Sequence, residues 1–464
     1  MKKTALLFAS LLCANTPLHA DFNLNSVTPN DIKNALQSAP FPQPSALSLQ
    51  PSADWTIMVF MNGKSNIEPF ALNDMNRFET VGSSEKVNIV VELGRSKGLD
   101  NDTQADGDWE GVRRYLVVRD ADKDRITSPV LMDLGKADMG DYREAVSFVK
   151  WARANYPADR YMLIIWDHGW GWLDPKKPDE NHVDDPTAPS KSISHDFVTG
   201  SYIKTTELGG IFREAGKVDL YASMACFMQM AEVAYELKDG ADVIVGSEEI
   251  IQLPSFNFED FFALMLKNPQ APPDKAGLYL VDTFKEMYSR PEYSDMLEKS
   301  KYGTQLSAIR SAKLPAFAKL VKDWAGVAMA VDDTAACKKA KEGVLRFEVG
   351  DEVTDPDKQL SFYGDLYHFI ALVNAGLNPA LPGADKFRTA GEDLQKFIAE
   401  ELVIKNVYQG KDRTGKEYSN THGIAIDIPG KPGTLIEYND TYGELAFEKA
   451  SNWRKFRKYL ERIN

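Results

Sequence analysis

The chain has 464 residues, of which 43% are hydrophobic and 11% aromatic, and a formal net charge of −14. Length and composition allow a sizeable core in one large domain or two ordinary ones. The negative charge argues against nucleic acid or an anionic membrane as partner and mildly favours cationic substrates.

The first twenty residues read as a secretory signal. Lys2 and Lys3 open it, Ala5 to Leu12 form an apolar run, and Leu18-His19-Ala20 ends in a small residue, so cleavage is expected after Ala20. The run is shorter than the roughly 20 residues that cross a bilayer, and no later segment supplies one. Cys13 is the alternative, as a lipid anchor, but the bulky Leu12 before it suits that processing poorly. Removing the segment takes away two lysines and no acid, moving the net charge from −14 to −16. Export to a periplasm or to the medium is expected. Cys226 and Cys337 then remain, too few for a disulfide-stapled domain; the alternative is one bridge between them.

Residues 21–53 carry Pro29, Pro40, Pro42, Pro44 and Pro51 and read as a linker or pro-segment, with a short helix near Asp31 to Gln37. Trp55 to Met61 is a continuous apolar strand, followed by an amphipathic helix over Ile67 to Val81. Val87 to Leu93 and Gly111 to Val118 are strands, Tyr142 to Asn155 a helix, and Tyr161 to Trp166 (YMLIIW) a buried strand. After a polar stretch come a helix from Thr206 to Glu214, a strand from Val218 to Ala222, a helix from Phe227 to Leu237 and a strand from Val243 to Gly246. Buried strands alternating with helices predict an α/β domain whose mainly parallel central sheet is flanked by helices. Beyond about residue 305, helical periodicity covers Ala308 to Val331, Thr334 to Leu345, Phe362 to Ala375 and Gly391 to Val403. A strand over Gly423 to Ile428 and a helix over Asn452 to Arg462 follow. This part is a second subdomain or an extension of the same sheet.

In such sheets the chemistry gathers at the carboxyl ends of strands. YMLIIW ends in Asp167-His168-Gly169, and the strand from Val218 ends in Ser223-Met224-Ala225-Cys226. A thiol at a strand-to-helix junction gains from the helix N-terminus, which favours the thiolate. A histidine at a neighbouring strand end can accept its proton. Gly169 lets the backbone come close to a substrate, and its N–H with that of Cys226 can hold an oxyanion. The alternatives are plain: Cys226 as a small buried hydrophobe and Asp167 as a turn residue. His422 precedes its strand, His182 and His195 lie in the polar stretch, and His368 lies in an apolar helix where a packed role fits better. Cys337 sits in a lysine-rich helix with no partner in view. Glu180, Asp184 and Asp185 read as a solvated acidic loop in preference to a metal site.

The blocks LIIWDHGWGW (163–172), ASMACFMQMAEVAYEL (222–237) and ADVIVGSEE (241–249) resemble the clostripain family of cysteine peptidases, with weaker echoes in VFMNGKSNIE (59–68), HGIAIDIP (422–429) and WRKF (453–456). The resemblance implies a caspase-like α/β sandwich and endopeptidase activity through a His168–Cys226 dyad. It implies peptide or protein substrates and a catalytic domain over 54–300, with a mostly helical or mixed C-terminal subdomain over 301–464. Where the family commonly has an Asp two residues before the nucleophile, this chain has Met224, which cannot neutralise an arginine or lysine side chain; Glu248 or Glu249 is the substitute source of charge. Relatives are often activated by self-cleavage between the dyad residues, for which Lys176, Lys177 and Lys191 are the candidate sites. Relatives can also depend on calcium; nothing in the sequence requires a cofactor, and no EF-hand spacing is present. A monomer is expected. The rival readings are an exported binding or adhesion protein that keeps the fold without the activity, and an amidase or transpeptidase on the same dyad.

Overall fold

The computed structural model describes residues 52–99, 101–174, 193–252, 254–347, 363–412, 415–429 and 439–463. The expected signal segment and most of the expected linker, with its short helix near Asp31 to Gln37, lie outside these residues.

A nine-stranded sheet forms the spine, in the order β10-β8-β7-β6-β5-β1-β2-β3-β4. Its strands are β1 (Ala53–Gly63), β2 (Val87–Arg95), β3 (Gly111–Leu116), β4 (Val130–Gly135), β5 (Ala158–Trp166), β6 (Val218–Met224), β7 (Ala241–Gly246), β8 (Thr304–Arg310) and β10 (Val403–Gln409). The five central strands β2-β1-β5-β6-β7 run parallel, and antiparallel pairs complete both edges. A two-stranded sheet pairs β9 (Tyr363–Asp365) with β11 (Ala425–Asp427).

The central strands are apolar over most of their length because both faces are covered. In β1, Met58 and Phe60 join one core while Trp55, Ile57, Val59 and Met61 join the other. The helices α1 (Glu68–Glu79), α2 (Tyr142–Asn155), α3 (Leu208–Ala215), α4 (Ala231–Glu236), α5 (Phe258–Lys267), α6 (Pro273–Tyr288) and α7 (Pro291–Ser300) divide between those faces. α1, α5, α6 and α7 pack on the Trp55 side; α2, α3 and α4 pack on the Phe60 side. Most of the later helices join the Phe60 side: α8 (Leu314–Val331), α9 (Thr334–Gly343), α10 (Leu366–Gly376), α11 (Ala384–Phe397), α12 (Asn439–Glu444), α13 (Ala446–Ser451) and α14 (Trp453–Arg462).

The expected helix from Ala308 is a strand for its first residues. Thr304–Arg310 pairs with both β7 and β10, and the helix starts only at Leu314, with Pro315 in its first turn. The expected helix over Gly391 to Val403 likewise ends early, because Val403 opens β10. The residues after 300 are mostly helical, yet they also supply two strands of the main sheet. From β1 the chain passes to β2 on one side and to β5, β6 and β7 on the other, so the order reverses between β1 and β5. The crevice outside the carboxyl ends at such a reversal is where ligands bind in open α/β sheets.

Candidate active site

The parallel register of β5 and β6 brings the two expected residues side by side. Their last ladder pair is Trp166 with Met224, and the N–H of Asp167 donates to the carbonyl of Met224 at 3.3 Å. His168 and Cys226 each follow two residues beyond that pair. A β-carbon on Gly169 would stand 2.5 Å from the carbonyl oxygen of Cys226, 3.0 Å from its nitrogen and 2.9 Å from the β-carbon of Ala225. Only glycine permits this approach. No described residue accepts a hydrogen bond from the Gly169 N–H.

His168 is held from two sides. Its Nε2 lies 2.7 Å from Oδ1 of Asn66, in the turn between β1 and α1, and its ring stacks on Phe197 with centroids 6.0 Å apart and planes 14° from parallel. Phe197 is fixed by its N–H on the carbonyl of Lys64 at 2.9 Å, and its neighbour Asp196 forms a buried ion pair with Lys64. Asp167, next to His168 in the chain, is buried. Asn62 and Ser65 donate to it at 3.4 Å each, and the N–H groups of His168 and His195 also reach it. Burial, the largest cause, pushes its pKa well above the usual carboxylate range, and the charge of Asp196 adds to this.

Cys226 does not sit at a helix N-terminus, which corrects the expectation from sequence. Phe227 takes the left-handed conformation, with φ 61°, and its N–H donates to the carbonyl of Glu249 at 3.2 Å. Gln229 then pairs with Ser247, and Met230 bridges to Ala425 before α4 begins at Ala231. The thiol therefore lies in a tight turn pinned between the end of β7 and β11, five residues ahead of a six-residue helix. The Phe227 ring contacts Trp170 and Tyr363, each with centroids 5.6 Å away, and the Tyr363 hydroxyl donates to the carbonyl of Trp170 at 2.5 Å. Cys226 is partly exposed and Cys337 is buried in α9; neither forms a disulfide. Burial pushes the Cys337 thiol up to about 12, which leaves it a poor nucleophile.

Met224 is 4% exposed and lies in the apolar core on the α1 face. Glu248 and Glu249 are both buried. The Glu249 carboxylate accepts from the Tyr418 hydroxyl at 2.5 Å and from the N–H of Ile250 at 2.7 Å. Neither carboxyl oxygen of Glu248 has a hydrogen bond of ordinary geometry among the described residues. Burial first, and the neighbouring Asp365 second, push its pKa well above the usual range. Asp365 itself accepts from the N–H groups of His368 and His422 and lies 3.1 Å from Nδ1 of His422, whose ring stacks on Tyr367. His368 accepts from the N–H of Leu345 at 3.0 Å and is pushed down in pKa by burial, as a packed histidine is. His195 packs edge-on against Phe197 and Tyr202. Lys176, Lys177, Lys191, Glu180, His182, Asp184 and Asp185 lie outside the described residues. Among the described residues no group of three or more His, Cys, Asp or Glu is placed to hold a metal ion.

Asn66 and Phe197 were not singled out from sequence. Asn66 falls inside the segment 59–68 quoted above, but nothing local marks its contact, which joins residues 102 apart.

A second set of buried groups fixes the residues just past the histidine. Trp172 donates to Asp427 at 2.9 Å, and Arg457 of α14 donates to the other oxygen of the same carboxylate at 2.8 Å. The guanidinium lies over the rings of Tyr442 (4.1 Å) and Trp172 (5.5 Å). Glu232 of α4 accepts from the Asp427 N–H at 3.0 Å and from the Tyr442 hydroxyl at 2.8 Å.

Comparison with known proteins shows which proteins this chain is similar to. Clostripain from Hathewaya histolytica is 28% identical over 222 residues, which are 45% of this chain and 41% of clostripain. The chain thus spans less than half the length of that relative. A secreted C11 cysteine protease from Bacteroides thetaiotaomicron, solved with an irreversible peptide inhibitor, shares the fold with a TM-score of 0.57 at 18% identity, over 86% of this chain and 99% of that one. An inactive zymogen C11 protease from Parabacteroides distasonis gives a TM-score of 0.59 at 16% identity, over 86% and 98%. The model of the clostripain family matches residues 59–461, and with that span the chain belongs to the clostripain family.

Proposed function

We propose that this protein is an exported cysteine endopeptidase that cleaves peptide bonds through a thioester on Cys226. The observation that carries this reading is the contact of Gly169 with Cys226, which sets the histidine end of β5 against the thiol end of β6. His168 takes the thiol proton and stabilises the thiolate as its imidazolium, since the helix that follows Cys226 starts only at Ala231. The thiolate attacks the substrate carbonyl, and the N–H groups of Gly169 and Cys226 hold the oxyanion. His168 then protonates the departing amine, and water resolves the thioester. Labelling by a peptide electrophile and hydrolysis of a peptide substrate test this: both are expected from the wild type and neither from Cys226→Ala. An unlabelled, inactive wild type supports the binding-protein reading instead.

For the side chain at the cleaved bond we propose Arg or Lys, with Glu248 as its counter-charge. Glu248 is the acid at these strand ends whose oxygens make no hydrogen bond of ordinary geometry among the described residues, with only the Gly423 N–H and the Asp365 carboxyl approaching it, and an incoming cation supplies a donor while drawing off the proton. A fluorogenic peptide panel decides it: a basic preference weakened in Glu248→Gln supports the assignment. An apolar or small preference unchanged in that variant overturns it and leaves Met224 as the floor of the pocket.

We further propose removal of a signal after Ala20, self-cleavage between the dyad residues at Lys176, Lys177 or Lys191, and a monomeric mature enzyme. The secreted and zymogen descriptions of the two solved relatives support the first two. Intact mass of wild type beside Cys226→Ala tests processing; a nick in both rules out self-cleavage.

A further inference from the structure

An amide oxygen offers only lone pairs, so Oδ1 of Asn66 at 2.7 Å requires that Nε2 of His168 carry a proton and donate it. That contact selects the neutral tautomer that is protonated on Nε2 and carries its acceptor lone pair on Nδ1. The parallel ring of Phe197 stops the imidazole from turning about this bond. Asn66 and Phe197 share one support, because Lys64 lies two residues before Asn66, receives the Phe197 N–H and pairs with Asp196. The histidine is thus oriented by the loop after β1, on the far side of β5 from Cys226.

We propose that Asn66 is the positioning residue of the catalytic pair: its side-chain oxygen holds His168 with Nδ1 as the proton acceptor for Cys226. This rests on the endopeptidase reading above. The proton passes from Sγ of Cys226 to Nδ1, giving thiolate and imidazolium, and later from Nδ1 to the amine that leaves when the C–N bond breaks. Nε2 keeps its own proton on Asn66 throughout. The amide is neutral, so it orients the ring and favours the imidazolium by its dipole without competing for the proton.

The test compares wild type, Cys226→Ala, Asn66→Ala and Asn66→Asp, all purified as the full chain, by peptide hydrolysis across pH and by thermal unfolding. Asn66→Ala is expected to lower kcat by about 10- to 100-fold with KM unchanged, and to move the alkaline limb of the kcat/KM profile to lower pH. Asn66→Asp is expected to recover kcat, because a carboxylate accepts the same bond, and to move that limb above its wild-type position. A role confined to folding would lower Tm and leave the limb in place. The proposal is overturned if Asn66→Ala keeps the wild-type kcat, or if Asn66→Asp is no better than Asn66→Ala and neither moves the limb. If Cys226→Ala keeps full activity, the dyad reading itself fails and takes this assignment with it; if Cys226→Ala is dead while Asn66→Ala is normal, the positioning role alone fails.

Discussion

The carbonyl oxygen of Cys226 lies 2.5 Å from the point where a β-carbon on Gly169 would stand. Two of the three atoms it would meet, the oxygen and nitrogen of Cys226, belong to backbone, so Gly169→Ala must push the ends of β5 and β6 apart. A shift of about 1 Å in a reacting geometry can cost about 100-fold. We expect kcat/KM to drop by that order and Tm to fall as well. An alanine variant with normal kinetics would mean that the two strand ends are not the reacting pair.

Phe197→Ala removes the ring stacked on His168 and leaves the Asn66 hydrogen bond in place. Stacked pairs are worth about 0.5–1.5 kcal/mol, which corresponds to a loss of about 2- to 12-fold in kcat. Phe197→Tyr keeps the stack and should stay near wild type. Steady-state kinetics of the two variants, read side by side, checks this ordering.

Arg457 and Asp427 are both 0% exposed and joined at 2.8 Å. Removing one partner of a buried pair strands the other charge and costs about 3–5 kcal/mol. Arg457→Ala should therefore unfold at markedly lower denaturant than wild type, with the same slope. An unchanged midpoint would show that the cation–aromatic contacts, and not the ion pair, carry the stability of α14.

Glu232 is fully buried and its pKa is pushed up to about 7, by burial first and by the nearby Asp427 second. The folded state therefore holds a proton that the unfolded chain gives up near 4.5. Its contribution is complete below pH 4.5 and is lost as pH rises through about 7, by up to about 3 kcal/mol. Glu232→Gln cannot titrate, so wild type should lose stability relative to this variant across that window. Denaturant melts at pH 4.5, 6 and 8 measure the difference, and parallel curves would refute it.

The strand that carries His168 was legible because both its faces are buried: YMLIIW reads as a continuous apolar run and could be little else. The turn after Cys226 was not. FMQMAEVAYEL has helical spacing, and only the hydrogen bond from Phe227 to Glu249 and the bridge from Met230 to Ala425 hold its first residues extended. Those partners are distant in sequence and leave no local mark. The last three residues of TQLSAIR, Ala308 to Arg310, read as the start of the helix after them for the same reason: their pairing with β7 and β10 overrides a weak local pattern. Asn66 shows the limit most clearly. Its residue type is unremarkable in a turn, and its importance comes from a histidine 102 positions away.

The bond from Trp172 to Asp427 has a consequence for a severed chain. A break between residues 175 and 192 divides the protein into a piece carrying β1 to β5 and a piece carrying β6 to β11. The ladder of β5 with β6 still spans that division, and so does the Trp172 side chain, clasped from the other piece by Asp427 and Arg457. The two fragments would remain one particle, separable in denaturant and inseparable on a sizing column. His168 would travel with one fragment and Cys226 with the other, so each alone would be inert and the active unit would be a two-chain complex born from a single gene product.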